Sequence, residues 1–231
     1  MSLCVPKIRL VFFLITMSLI VACSSSMNDN KSFLIPDGSK YTGTYEDGLL
    51  HGVGKLEWGN GSTYEGEFSK GLMHGNGKLV EFNGDIYEGQ FYQGLPHGEG
   101  VYIYANGERY EGQFRNGYYH GNGKLLFADG MIFEGVFNNG IREGKGKLVY
   151  LNGDVYEGEF ERGYPNGLGA LLGANGSHYI GQFMNGEFHG QGKYIYSNKD
   201  VLEGAFVAGV FVSGTLNGEI VTKDTLSKYE E

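Results

Sequence analysis

Five of the six histidines, His51, His74, His97, His120 and His189, each stand immediately before a Gly-x-Gly. Imidazoles at one repeated position are the first candidates for metal chemistry, because zinc needs several nitrogen or sulfur ligands about 2 Å from a single point. The spacing argues against it. The repeat interval is 23 residues, and if each interval forms two strands, equivalent side chains stand about 10 Å apart. The same distance defeats a cation ladder along Glu65, Glu88, Glu111, Glu134, Glu157 and Glu203, which share a second position. A third position carries Lys55, Lys78, Lys124, Lys147 and Lys193, so the expectation is cross-strand pairing of the two rows, each pair contributing about 0.2–1 kcal/mol. The histidines are read as turn residues bonded to backbone, or as a pH-sensitive edge, since neutral imidazole titrates at about pH 6.5. Arg142-Glu143 and His178 break the pattern, and a unique site would have to use such exceptions. No nucleophile has a base beside it, and the glycine pairs are not dinucleotide loops because no helix follows them. The sequence therefore predicts no enzyme, no cofactor and no metal site.

The other reactive group is the thiol of Cys23. Residues 1–9 are basic through Lys7 and Arg9, and the apolar run Leu10 to Ala22 follows. This is the pattern of a secretory signal; as a helix the run would reach only about 20 Å, short of a hydrocarbon core of about 30 Å. It ends Ile20-Val21-Ala22-Cys23, then Ser24-Ser25-Ser26, which resembles the lipobox of bacterial lipoproteins. The resemblance implies a diacylglyceryl group on Cys23, cleavage just before it and acylation, as by palmitate, of the new amino terminus. Two or more chains hold a protein stably where one does not. The other cysteine, Cys4, lies in the part that would be removed, so no disulfide is expected. Serine after Cys23 resembles an outer-membrane sorting signal, which implies the periplasmic side of the outer membrane if the cell is Gram-negative. Residues 24–32, SSSMNDNKS, read as a flexible tether.

These groups have to be positioned by a repeat. Glycine supplies 41 of 231 residues, with aromatics at 14%, too aromatic for a disordered chain and without the period of collagen. Tyr41-Gly43-Tyr45, Tyr64-Gly66-Phe68, Tyr87-Gly89-Phe91 and their successors recur every 23 residues to Leu202-Gly204-Phe206. Each unit continues with a lone glycine such as Gly71, a pair such as Gly75/Gly77, and a turn dipeptide such as Asn83-Gly84. Alternate positions face one side of a strand, and Asn-Gly between two such runs predicts a type I′ hairpin turn. A longer, five-residue turn is expected around the lone glycine. Glycine inside a strand calls for a steric reason: the expectation is that an aromatic ring of a neighbouring unit lies over each bare glycine.

The pattern resembles the MORN-repeat family, over about residues 33–214, as eight units behind a leading half-repeat at Phe33 and Ile35. The eighth departs, with Ser213 and Thr215 at the Gly-x-Gly positions and Leu202 for the tyrosine. The predicted fold is all-β: an elongated, twisted single antiparallel sheet of tandem 23-residue hairpins. The predicted organisation is a signal at 1–22, a lipidated Cys23 and tether at 23–32, the array at 33–214 and a cap or tail at 215–231.

With residues 1–22 removed the chain holds 16 basic and 27 acidic residues, a charge of −11, which repels phosphate backbones and anionic head groups. Nucleic acid is excluded as a partner. The family resemblance implies a non-catalytic scaffold for protein association, here anchored at a bacterial cell envelope. The alternatives are glycan binding along Trp58, Tyr104, Phe127, Tyr150 and Tyr196, which share one position in the second strand, and direct lipid-head-group binding. Free end strands would let a second copy pair with the first.

Overall fold

The computed structural model describes residues 32–35 and 37–226; the signal-like segment and Cys23 lie outside them. The chain divides into two compact units, one ending at Gly123 and one starting at Lys124. The first contains β1 (Ser32–Leu34), β2 (Lys40–Glu46), β3 (Leu49–Glu57), β4 (Thr63–Ser69), β5 (Leu72–Val80), β6 (Ile86–Tyr92), β7 (Leu95–Ile103), β8 (Arg109–Arg115) and most of β9 (Tyr118–Leu126). The second contains the end of β9, then β10 (Ile132–Asn138), β11 (Ile141–Val149), β12 (Val155–Glu161), β13 (Tyr164–Leu172), β14 (His178–Met184), β15 (Glu187–Ile195), β16 (Val201–Val207), β17 (Val210–Leu216) and β18 (Glu219–Thr222), with the one-turn helix α1 (Lys223–Leu226). Each is an open antiparallel sheet of consecutive hairpin strands, as the alternation of residues predicts. The leading half-repeat is β1, which sets Phe33 opposite Tyr41.

The two turns are the reverse of the sequence expectation. The lone-glycine turn is the tight one: Lys70 and Gly71 have φ of 51° and 84°, Gln93 and Gly94 50° and 83°, Arg162 and Gly163 53° and 87°. Two positive φ values in a two-residue loop define the type I′ geometry. At the Asn-Gly end only the glycine is left-handed, as at Gly61 with φ 92°. There Gly61 N donates to Trp58 O and Trp58 N to Ser62 O, both at 2.9 Å. That is a three-residue loop, a type I turn closed by a left-handed glycine. The asparagine serves as an acceptor: Asn60 Oδ1 takes Ser62 N at 2.9 Å and Asn83 Oδ1 takes Asp85 N at 3.0 Å. This Asx bond is what fixes Asn or Asp at the position.

The strand glycines form a ladder. In the first unit Gly43 faces Gly54, Gly54 faces Gly66, Gly66 faces Gly77, and so on to Gly100 opposite Gly112. In the second the series runs from Gly135 opposite Gly146 to Gly204 opposite Gly214. In the first seven repeats the ring over each hairpin's glycine pair belongs to the same repeat, not to a neighbour. A Cβ on Gly77 would stand 2.3 Å from Tyr64 Oη, and one on Gly54 2.3 Å from Tyr41 Oη. The flat ring then reaches past the glycine to donate its hydroxyl to a backbone carbonyl: Tyr64 to Glu67 O at 2.9 Å, Tyr87 to Gln90 O at 2.7 Å, Tyr156 to Glu159 O at 2.8 Å. Those carbonyls adjoin the register shift that interrupts each such hairpin, as between Gly66 and Glu67, so the phenol occupies an acceptor near which the ladder is broken.

Within each unit, successive repeats are linked edge to face. Phe91 lies T-shaped against its own Tyr87, with centroids at 4.9 Å, and against Tyr64 of the preceding repeat at 5.0 Å. Phe183 does the same between Tyr179 at 5.2 Å and Tyr156 at 4.8 Å. Each contact is worth about 0.5–1.5 kcal/mol beyond area burial. These rings are the core; Tyr64, Tyr110, Tyr156 and Tyr179 are all 0% exposed.

The eighth hairpin keeps its glycine by losing a residue. Gly214, not Ser213 or Thr215, stands opposite Gly204, and β17 has seven residues where β15 has nine. The left-handed glycine before the ladder, Gly190 in the seventh unit with φ 57°, has no counterpart there. Residues 215–226 hold the end of β17, then Asn217-Gly218 as another tight turn with φ of 50° and 89°, then β18 and α1.

Candidate interaction face

The face opposite the rings carries the charged rows. In the first unit Lys55 faces Glu65, Glu65 faces Lys78 and Lys78 faces Glu88; in the second Glu134 faces Lys147 and Lys147 faces Glu157. The predicted pairing is present at Lys78–Glu88 (3.5 Å) and Lys193–Glu203 (3.9 Å). Lys55 instead reaches along its own strand to Glu57 at 2.9 Å, and this bond holds the Glu57 carboxyl below its usual range. All these groups are half exposed, so each pair adds little to stability. In the first unit the rows border an open trough of about 790 Å³ whose floor is the bare backbone of Gly77, Gly89, Gly100 and Gly112, with Glu65, Lys78, Glu88, Glu99 and Glu111 around it.

A second row on this face is aliphatic. Val80 faces Ile86 and Ile86 faces Ile103 in the first unit. In the second, Val149 faces Val155 and Val155 faces Leu172. Ile103 is 39% and Leu172 49% exposed. The charged row is itself interrupted in the second unit, where Glu157, Ala170, Ile180 and Lys193 follow one another across the strands. Ile180 and the nearby Leu168 are 54% and 62% exposed.

The histidines lie within strands rather than turns, and several of them meet polar partners through the backbone carbonyl. The carbonyls of His74 and His189 accept long bonds from Tyr64 and Tyr179 at 3.4 and 3.3 Å. His51 Nε2 lies 3.1 Å from Glu46, while Nδ1 of His97, His120 and His178 is buried without a hydrogen-bond partner. The structure keeps the equivalent histidines in separate hairpins.

Trp58, Tyr104, Phe127, Tyr150 and Tyr196 are all half-buried at the Asn-Gly ends of their hairpins. Tyr104 accepts a hydrogen bond from Tyr119 at 2.8 Å, and its ring lies 4.4 Å from that of Tyr102. Tyr196 meets Tyr194 at 4.8 Å. Burial pushes the phenols of Tyr104 and Tyr150 up from their usual pKa. In the second repeat Glu81 takes this aromatic position; its carboxylate and that of Asp85 lie 3.2 and 3.3 Å from the Tyr102 hydroxyl, and burial raises the Glu81 pKa.

A set of residues escaped the sequence reading. Glu67, Gln90, Glu159 and Gln182 fold back over the left-handed first glycine of the Gly-x-Gly and accept the next backbone N–H. Glu67 takes Asn76 N at 2.8 Å, Gln90 takes Glu99 N at 3.0 Å, and Glu159 and Gln182 take Leu168 and Gln191 N at 3.1 Å. The signal was present: Glu or Gln stands between the glycine and the phenylalanine in five of the eight triplets, with Thr44, Val136 and Ala205 in the other three.

A sheet made by copying one hairpin, with its rings on one face and a continuous patterned surface on the other, defines a repeat protein built to present area. The MORN repeat matches at residues 41–63, 64–86, 87–109, 110–132, 133–155, 156–178 and 179–201, well over half the chain. The chain belongs to the MORN-repeat family. The eighth unit, with its deleted residue, is not among the matches. Among curated proteins none matches the sequence. Among solved structures, the TCP domain of Drosophila melanogaster SAS-4 (dCPAP), in complex with a proline-rich motif of Ana2, is 16% identical over 82% of this chain and 99% of that one, with a TM-score of 0.42. The G-box domain of the microcephaly protein CPAP is 15% identical over 77% of this chain and 99% of that one, with a TM-score of 0.43.

Proposed function

We propose that the protein is a non-catalytic scaffold, held at a bacterial cell envelope by acyl chains on Cys23, that gathers protein partners on the face opposite its rings. The observation that carries this is the aliphatic row beside the charged row. Leu168 and Ile180, 62% and 54% exposed, stand where charge would keep the surface wet. Exposed aliphatic side chains with a charged border suit association with another protein. The −11 charge that remains beyond residue 22 favours partners of opposite sign and works against anionic head groups. The anchor rests on the lipobox-like run Ile20 to Cys23.

The test is photo-crosslinking in native membranes from Leu168 and Ile180, with the buried Phe183 as control, followed by identification of the captured protein. Discrete adducts from the two exposed positions and none from Phe183 are expected; adducts alike from all three, or from none, would overturn the assigned face. In parallel, Cys23→Ser is expected to abolish palmitate labelling and move the protein to the soluble fraction. A variant that stays membrane-bound would refute the anchor.

A further inference from the structure

Each nine-residue strand places its second residue on the ring side, opposite the phenylalanine of the triplet: Met73 faces Phe68, Pro96 faces Phe91, Pro165 faces Phe160 and Phe188 faces Phe183. The slot is a lid. Phe188 stacks on Tyr179 with centroids 3.8 Å apart and planes 12° from parallel. In the fifth repeat the slot holds Arg142, opposite Phe137. Its guanidinium carbon stands 5.5 Å from the ring centres of Phe127 and Phe133 and 5.7 Å from that of Phe160. Its Nη2 donates to Gly163 O at 2.5 Å, while its own carbonyl accepts Gly163 N at 3.0 Å.

This is an unusual place for a cation. Burial pulls the Arg142 pKa down, and Tyr150 and Tyr164 push it the other way. No carboxylate pairs with it among the described residues. Leucine, methionine and proline do the covering job in other units, so packing alone gives no reason for a guanidinium. Three rings compensate part of the lost hydration by cation–π attraction, yet a guanidinium has five N–H donors in a planar fork, and one bond to Gly163 uses one of them. The side chain is only partly covered, so the remaining donors are within reach of a ligand. A planar cation with free donors, framed by rings, matches a carboxylate attached to an apolar group: two parallel N–H···O bonds for the anion and aromatic surface for what it is attached to.

We propose that Arg142, with Phe127 and Tyr150 beside it, binds a peptide carboxylate carried next to an apolar side chain. This site rests on the reading of the protein as an association scaffold and gives that scaffold one unique contact on the ring side, separate from the patterned face. Such an ion pair, set among rings instead of in open water, is strengthened by its surroundings.

The test uses the full chain and small probes, so it fails or succeeds apart from partner capture. Acetyl-phenylalanine and its amide are titrated while ligand-observed NMR follows binding. The acid should bind saturably and at least tenfold more tightly than the amide. Arg142→Leu, the residue that fills the slot at Leu50, should abolish the difference, and Arg142→Lys should reduce it. If the leucine variant fails to fold, Arg142→Met, after Met73, replaces it. Equal binding of acid and amide, undiminished binding of the acid by the variant, or tighter binding of galacturonate than of acetyl-phenylalanine would each overturn the proposal.

Discussion

Replacing Gly77 by alanine tests why glycine recurs in these strands. The new methyl carbon would stand 2.3 Å from Tyr64 Oη and 2.5 Å from Cε2 and Cζ, where carbon atoms in ordinary contact are about 3.5–4.0 Å apart. The ring must retreat by about 1 Å. Forced repacking of this kind costs about 1–3 kcal/mol. The retreat also breaks the 2.9 Å bond from Tyr64 to Glu67 O, about 1 kcal/mol. It weakens the edge contacts to Phe68 and Phe91, both at 5.0 Å. Against this, alanine gains about 0.5–1 kcal/mol over glycine through lower chain entropy. The net loss is about 2–3 kcal/mol, so native-state hydrogen exchange of the β4 and β5 amides should speed up by on the order of thirtyfold or more, at tenfold per 1.4 kcal/mol. The decisive measurement is the double-mutant cycle. In a Tyr64→Ala background the methyl meets no ring, and Gly77→Ala should become neutral or slightly stabilising. Gly66→Ala is the control, because its methyl would meet Gly77 Cα at 2.5 Å and Asn76 O at 2.6 Å; removing the ring should not rescue it. An equal cost of Gly77→Ala in both backgrounds would refute the account of the ladder.

Three further outcomes are expected. Gln90→Ala should leave the Glu99 N–H without its 3.0 Å acceptor, accelerating exchange at that amide about fivefold for a loss of about 1 kcal/mol, with little change at β2 and β3. Arg162, at φ 53°, should tolerate Asn or Gly with unchanged or higher Tm, whereas Arg162→Val should lower stability by about 1–2 kcal/mol, since β-branched residues resist the left-handed region. Burial pushes the Tyr41 phenol from 10.0 up to about 12. The folded state thus favours the neutral form, and its stabilisation is complete below pH 10 and lost as pH rises towards 12. Melting temperatures measured from pH 9 to 12 should fall less steeply in Tyr41→Phe than in the parent chain, and identical slopes would count against it.

Much of the fold was legible because a strict period turns local chemistry into architecture. The unbroken 23-residue step and the alternation of Tyr, Gly and Phe showed two strands per repeat, the ring face and the pairing of Lys78 with Glu88, while β18 lies in the stretch read as a cap or tail. The turns were misread for a physical reason. Asn83-Gly84 and Gln93-Gly94 both end in glycine, and the commoner type I′ dipeptide drew the assignment to the wrong end. What separates them is loop length and an Asx bond, neither visible until the strands are paired. At Lys70 and Arg162 the hairpin imposes a left-handed backbone on residues with no local preference for it. The owner of each ring was also out of reach, since a tyrosine two residues from a glycine gives no hint whether it lies on its own strand or a neighbour's. Arg142 was visible as an exception; that it sits among Phe127, Phe133 and Phe160 follows only from the register.

The edge-to-face contact between a triplet tyrosine and the phenylalanine of the following repeat, as from Tyr64 to Phe91 and from Tyr156 to Phe183, bears on how such a gene changes length. A segment running from one triplet tyrosine to just before the next brings its own glycine pair, its own hydroxyl acceptor and one half of two identical junctions. Duplicating or excising that segment leaves every seam chemically the same as before, whereas a breakpoint inside a hairpin strands a ring without its glycines. Recombination is thereby steered to whole-repeat steps, and the number of repeats becomes a heritable quantity while the surface of each repeat stays free to diverge.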